Sequence, residues 1–302
     1  MRIAIIGGRG LIGQALAGEL KRAGHGPILL SRHARVGESL AGIPVQRWDG
    51  VSAQNLSNII DGLDAVVNLA GESIGARRWT KERLQLLYDS RILPGKALAE
   101  AWAQVKSPPG VLIQASAVGF YGISDREANE STAPGGDVLA RLCQAWEAAT
   151  LPVTRLGTRR VVIRSGVVLD RKKGILGQMV LPFRFYVGGP IGRGNQMISW
   201  IHIQDEARAI RFLLENPACD GTYNLTSPLP VTNAEFGQTI SSILQRPYWF
   251  RVPAFFLKFA LGEMSSLVLE GQKVMPERLG EAGFVHSFPD LPGALRDLLV
   301  ED

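Results

Sequence analysis

Through residue 170 the chain alternates short apolar runs with stretches whose apolar positions recur every three or four residues. Residues 3–6 are an unbroken apolar run rich in isoleucine, the pattern of a strand buried on both faces. Leu11, Ala15, Leu16 and Leu20 then fall on one helical face, and Gly24 sits where that helix should stop. Further strands are expected over residues 27–30, 45–49, 65–71, 111–115 and 160–164, the last leading into 165–169. Between them, helical patterns cover residues 56–60, 79–105 and 138–150, while the acidic stretch 125–137 reads as a surface loop. Such alternation of strand and helix demands a parallel sheet with helices on both faces.

After residue 170 the alternation weakens. Residues 170–200 are glycine-rich, which suggests a mobile segment near a ligand. Short strands are expected over 199–203 and 221–225, with Asp205 as N-cap of a helix reaching Leu214 and Thr232 capping another through Leu244. An apolar helix over 255–261, a second helical stretch over 267–273 and a short amphipathic helix at the end of 283–300 complete the chain. The expected architecture is α/β: a doubly wound parallel sheet over residues 1–170, with sheet and helix elements returning at about 199–226. A smaller α+β cap, residues 171–302, includes a helical C-terminal part from about 250 and should form a substrate cleft over the sheet's C-terminal edge.

The turn after the first strand carries the clearest chemistry. Gly7 permits a tight turn, Gly10 lets the backbone approach a pyrophosphate, and Gly13 lets the helix pack closely on the sheet. The helix N-terminus then offers free N–H groups and a positive dipole end to phosphates. The second strand ends in Ser31-Arg32, where an NAD site would carry an acid for the ribose 2′-hydroxyl. Ser31 donates a hydrogen bond and Arg32 pairs with a 2′-phosphate, with Arg9 adding charge nearby, so the expected cofactor is NADP(H). Asp49, after the third strand, either lies beside the adenine or caps a local turn. Small residues in Leu69-Ala70-Gly71 leave room for a cofactor across the fourth strand.

Composition narrows the classes. The chain has 302 residues, 46% hydrophobic and 20% charged, enough for a sizeable core. Cys143 and Cys219 make no disulfide framework, and with four scattered histidines they give no metal spacing. A reducing, cytoplasmic setting fits, and no metal is expected. The basic residues behind the net charge of +5 are dispersed, with pairs such as Arg77-Arg78 and Arg159-Arg160, so anionic cofactor and substrate explain it without nucleic acid. No apolar stretch is long enough to insert in a membrane, and the N-terminus reads as the first strand rather than a signal peptide. The expected partner is a small-molecule substrate, in a monomer or homodimer.

Several motifs together resemble the extended short-chain dehydrogenase/reductase superfamily: Gly7-Gly8-Arg9-Gly10-Leu11-Ile12-Gly13, Asn68-Leu69-Ala70-Gly71, Tyr121-Gly122 and Trp200-Ile201-His202-Ile203-Gln204-Asp205. More narrowly, Glu72, Arg78-Trp79, Arg164-Ser165-Gly166-Val167-Val168-Leu169 and Gly188-Gly189-Pro190-Ile191-Gly192 resemble epimerase-family proteins of the YfcH type. Val252-Pro253 through Phe288-Pro289 resembles their C-terminal domain. The resemblance implies a Rossmann-like NADP-binding protein, an oxidoreductase or nucleotide-sugar epimerase. It implies cofactor contacts along the whole glycine motif and at Ser31, Arg32, Leu69, Ala70, Gly71, Arg91, Ser116 and Val168, with Asp49 nearby.

The superfamily's proton chemistry needs a Tyr, a Lys four residues later and a Ser that orients the carbonyl. Here Leu139 stands at the Tyr position, Cys143 at the Lys position, Glu147 four further on, and Ala117 at the Ser position with Ser116 one earlier. Ser116 and Tyr121 remain as candidate acid–base groups, with Tyr186 and His202 as donors from the cap. Against these stand plainer roles: Tyr121 packing on the cofactor turn, His202 a structural strand histidine, Cys143 a small hydrophobe. The alternative to an enzyme is an NADP(H)-binding sensor or scaffold acting through a protein partner, a role the resemblance links to cell division.

Overall fold

Side chains of the first strand, β1 (Arg2–Ile6), alternate between two cores: Ile3 and Ile5 enter one, Ala4 and Ile6 the other. That division organises the computed structural model, which describes residues 1–171 and 173–300. Next come α1 (Leu11–Arg22), β2 (Gly26–Ser31), β3 (Ser39–Leu40), β4 (Ile43–Arg47), α2 (Ala53–Ile60), β5 (Ala65–Asn68) and α3 (Lys81–Trp102). They are followed by β6 (Val111–Ala117), β7 (Ser124–Ala128), α4 (Val138–Ala149), β8 (Arg159–Ser165) and β9 (Val167–Leu169). The rest contributes α5 (Leu176–Arg184), β10 (Met197–Ile198), β11 (Trp200–His202), α6 (Ile203–Glu215), β12 (Gly221–Leu225), β13 (Val231–Thr232) and α7 (Asn233–Leu244). It ends with α8 (Ala254–Leu261), α9 (Ser266–Leu269), β14 (Gln272–Val274), α10 (Glu277–Glu281) and α11 (Leu291–Leu299).

Eight strands form one sheet in the order β12-β8-β6-β5-β1-β2-β4-β3. All of its neighbours run parallel except β3 and β4. Helices α1 and α6 cover one face through Leu16, Leu20, Ile210 and Leu213, and α2 and α3 cover the other through Leu56, Ile60, Leu98 and Trp102. The order reverses between β1 and β5, and a crevice at the strands' C-terminal ends follows from that switch. The fold is therefore the doubly wound, Rossmann-like one. A third core, with Leu176, Phe183, Trp200, Phe236 and Leu295, joins α5, α7 and α11 into the cap.

Three expectations are corrected. Part of the supposed loop 125–137 is strand β7, paired in parallel with β14. That pairing also overturns a helix over 267–273, since α9 stops at Leu269 and residues 272–274 are extended. Gly271 explains the break: a Cβ there would lie 2.1 Å from the Met197 carbonyl oxygen, so the backbones touch where a helix would need room. Ser199 holds the strand, its hydroxyl donating to Gln272 O at 2.8 Å and accepting from Val274 N at 2.9 Å. Third, Asp205 is not an N-cap. His202 takes that position, Nδ1 accepting from Gln204 N at 3.1 Å. Asp205 is buried in the first turn of α6 and accepts from Ser287 N and Phe288 N at 2.9 and 2.8 Å, tying down the tail. No helix among the described residues is long and apolar enough to cross a membrane.

Candidate active site

The glycine turn leaves β1 through Gly7 (φ +75°), closed by a hydrogen bond from Gly10 N to Gly7 O at 2.9 Å. A Cβ on Gly7 would lie 2.6 Å from the Leu69 carbonyl oxygen, and one on Gly13 would lie 2.7 Å from both Gly7 O and Gly8 Cα. The turn is thus pressed against the end of β5 on one side and against α1 on the other. Gly10 is the N-cap of α1 and supplies no side-chain cap, so the first N–H groups of α1 have no cap competing for them. Leu11 and Ile12 open the helix, and Ile12 packs on the core.

The charged groups expected at the 2′-phosphate lie around this turn. Arg9 is ion-paired with Glu38, which also accepts from Arg35 N at 2.9 Å. Arg32 is 61% exposed, with its Nη2 3.5 Å from Glu72 Oε1. Ser31 Oγ accepts from His33 N at 3.3 Å. Of the two roles open to Asp49, the structure displays the local one: Oδ1 accepts from Ser52 N and Val51 N at 2.8 and 2.9 Å. Those backbone hydrogen bonds hold its carboxyl below the usual range.

Beyond β5, Ala70 N donates to Asn68 Oδ1 at 3.2 Å, and Asn68 Nδ2 donates to buried Gln114 at 2.9 Å, which fixes the Leu69–Ala70 backbone. A Cβ on Gly71 would lie 3.1 Å from the Arg91 guanidinium carbon. Arg91 is buried in the middle of α3, donating to Glu72 O at 2.9 Å and Leu87 O at 3.1 Å and lying 4.8 Å from the Trp146 ring centre. Burial lowers its pKa to about 10, so it stays charged at neutral pH.

Arg91 also walls a cavity of about 1160 Å³ between the sheet edge and the cap. Its walls include residues 117–119 at the end of β6, residues 165–168 from the end of β8 into β9, part of α5 and much of 261–272. Val168 is in this wall, and so are Leu139 and Cys143. The two positions where the superfamily places Tyr and Lys therefore face the cleft, but with an aliphatic chain and a thiol. Burial pushes the Cys143 thiol up to about 11, so it is no thiolate nucleophile at neutral pH.

Neither Ser116 nor Tyr121, the acid–base candidates, lines the cleft; both hydroxyls are engaged beside it. Arg164, buried next to the C-terminal end of β8 after Val161-Val162-Ile163, needs partners there. It donates to both Glu147 oxygens at 2.8 and 3.0 Å and to the Tyr121 hydroxyl at 3.0 Å. Tyr121 in turn donates to Asn224 Oδ1 at 2.7 Å, and Ser116 donates to Glu147 Oε1 at 2.6 Å. Neither residue is in the cavity wall, and burial raises the Tyr121 pKa. The cap donors fare likewise. His202 is fully buried, 3.1 Å from Asp297 Oδ2 and stacked on Phe288, and burial lowers its pKa. Tyr186 is half exposed under Arg246 and outside the wall.

The pattern missed a pair. Ser165 lies in the cavity wall and donates to Glu206 Oε1 at 2.6 Å. Glu206 is wholly buried, its Oε2 has no partner, and desolvation pushes its pKa up to about 8. Burial thus favours its neutral, protonated form, one hydroxyl from the cleft. In the sequence it passes for an ordinary first-turn helix acid beside Asp205. The available signal was its place just after a strand ending in His202.

Residues 3–145 match the model of the NAD dependent epimerase/dehydratase family, and residues 252–298 match a domain of unknown function, DUF1731. The chain is 40% identical over 306 residues to the epimerase family protein YfhF of Bacillus subtilis, covering 100% of this chain and 99% of that one. It superposes on the crystal structure of human epimerase family protein SDR39U1 with NADPH at a TM-score of 0.89, with 36% identity and 99% of each chain covered. A nucleoside-diphosphate sugar epimerase from Corynebacterium glutamicum matches at a TM-score of 0.80 and 30% identity over 99% of this chain and 58% of that one.

Proposed function

This chain belongs to the epimerase family, related to NAD dependent epimerases and dehydratases, and from that membership we propose that it transfers hydride between NADP(H) and a carbon alternating between alcohol and carbonyl. The carrying observation is that the glycine turn and the cavity share one sheet edge and meet at Arg91, which packs on Gly71 and walls the cleft. The relative SDR39U1 is crystallised with NADPH, and the cradle here fits the same group. Gly7 and Gly13 leave no Cβ where the backbone must approach a pyrophosphate, and the N-terminus of α1 carries no side-chain cap.

In this reading residues 7–13, Leu69, Ala70, Gly71 and Val168 bed the cofactor, and Arg32, Ser31 and Arg9 take the 2′-phosphate. Arg91 adds a fixed positive charge at the nicotinamide end. When bound, the nicotinamide supplies or takes up the hydride. Leu139 and Cys143 cannot move the accompanying proton. Ser165 replaces them: its Oγ gives a proton to the carbonyl oxygen as the hydride reaches the carbon. Glu206 restores the proton to Ser165 and, being shut off from solvent, regains one through the same hydroxyl from the water that refills the cleft when product leaves. In the oxidising direction the same protons return.

Deuterium on the transferable position of NADPH tests the reaction. The purified protein with fractionated cell metabolites should yield one deuterated product by mass spectrometry. Tight NADPH binding with no label in any fraction would end the hydride-transfer reading. The cofactor choice is tested separately with Arg32→Ala. Losing one charge-assisted phosphate contact should weaken NADPH binding about 10- to 100-fold and leave NADH within about threefold, read by tryptophan fluorescence. Equal losses for the two cofactors would detach Arg32 from the 2′-phosphate.

A further inference from the structure

We propose that the cleft receives a neutral, lipophilic carbonyl compound or the matching alcohol rather than a nucleotide sugar; this rests on the hydride-transfer reading of the same site. The cap side of the cavity is apolar. Met179 and Phe183 of α5, Met197 of β10, Phe236 of α7, and Met264 and Leu267 around α9 all line it. Three methionines give a wall that adapts to an irregular hydrocarbon.

The charges point the same way. A nucleotide sugar brings a diphosphate, which proteins hold with cations, arginine above all. Among the described lining residues Arg91 is the one cation, and it is pinned by Glu72 O and Leu87 O on the cofactor side. The other charged lining residues are Asp137, Glu263 and Glu270, all acids that would repel a diphosphate. Most of the lining amides are already engaged with the cavity's own backbone. Gln196 donates to Val268 O at 2.8 Å, Gln272 donates to Val118 O at 2.9 Å, and Asn233 accepts from Ile191 N at 3.0 Å.

The rim continues the apolar surface. Val252 and Leu261 flank or end α8 and line the cavity, while no residue of α8 is buried. Its Phe255, Phe256 and Phe259 are 75, 58 and 84% exposed. A hydrocarbon tail longer than the cavity leaves over the exposed phenylalanines of this helix. At about 1160 Å³ the cavity exceeds the usual range for one small ligand, as a site shared by a nicotinamide and a second molecule requires.

The test is a binding series on the protein loaded with NADP⁺, so that no turnover is needed. Trp79 and Trp146 line the cavity and report occupancy by fluorescence. From 2-hexanone to 2-dodecanone, affinity should tighten about threefold to fourfold per added methylene until the cavity is filled. UDP-glucose should bind at least about 100-fold more weakly than the longest ketone. Met264→Glu and Leu267→Glu, at half-buried cap positions, should each weaken the long ketone at least about tenfold while NADPH affinity, the check on folding, stays unchanged. A flat ketone series, or UDP-glucose binding tighter than 2-dodecanone, overturns the inference. Label transfer from deuterated NADPH to a nucleotide sugar would also overturn it while leaving hydride transfer standing. A steep ketone series without label transfer would instead remove the reaction and leave the lipophilic cleft.

Discussion

Gly7→Ala is expected to abolish measurable NADPH binding, weakening it at least about 100-fold, and to lower the melting temperature by about 5 °C. Two costs add. Gly7 sits at φ +75°, where a Cβ is strained by roughly 1–2 kcal/mol. That Cβ would also lie 2.6 Å from the Leu69 carbonyl oxygen and 2.9 Å from its carbon. Both are backbone atoms, so the turn and the end of β5 must part. The gap opens where the cofactor is proposed to lie, which makes the binding loss larger than the stability loss. Gly18→Ala is the paired control. It lies in α1, a Cβ there meets nothing within 4 Å, and alanine should stabilise the helix by roughly 0.5–1 kcal/mol with NADPH affinity unchanged. Calorimetric melts and NADPH titrations of the two variants decide the matter. Normal NADPH affinity in Gly7→Ala would dissociate the turn from the cofactor.

Glu206→Gln is expected to flatten the dependence of stability on pH. In the folded chain burial raises this carboxyl from 4.5 to about 8. Between those values the folded protein keeps a proton that the unfolded chain has released. The group's contribution is therefore complete below about pH 4.5, falls by about 1.4 kcal/mol per unit as pH rises, and is lost beyond about pH 8. Glutamine is neutral throughout and still offers Ser165 an acceptor oxygen. At pH 5 wild type and variant should agree within about 1 kcal/mol, and at pH 9 the variant should be several kcal/mol more stable. Urea melts at pH 5, 7 and 9 measure the difference. His202 and His286, both lowered by burial, are present in both proteins and cancel in it. Parallel stability curves would mean that Glu206 is ionised in the fold, and the proton role of Ser165 would go with it. With that role intact, the variant turns over slowly and without an inflection near pH 8.

The two cores on either side of β1 were legible because a strand buried on both faces must be apolar throughout, and residues 3–6 and 65–67 are. The glycine turn was legible because its constraint is local: Gly7 touches Leu69, but the need for glycine follows from the sharp exit from β1. The empty places of the usual Tyr and Lys were equally visible, and Leu139 and Cys143 do face the cleft. Ser116 and Tyr121 drew the eye because they lie at the C-terminal end of the right strand and just beyond it. Their direction is set by a buried arginine on the neighbouring strand, which pulls both hydroxyls into its own cluster. Arg164, directly after the apolar run 161–163, was the available warning.

By itself the sequence determined the doubly wound sheet, the glycine turn and the absence of the usual Tyr and Lys from their positions, because each rests on residue type at short, fixed spacing. Tertiary structure alone decided which polar groups face the cleft. Ser165 meets Glu206 across 41 residues, β14 returns across about 150 residues to pair with β7, and the acids Glu263 and Glu270 with Met264 join residues of α4 in the cavity wall. Pairings over such distances depend on the burial and charge of neighbours brought together by the sheet order, and no local spacing encodes them.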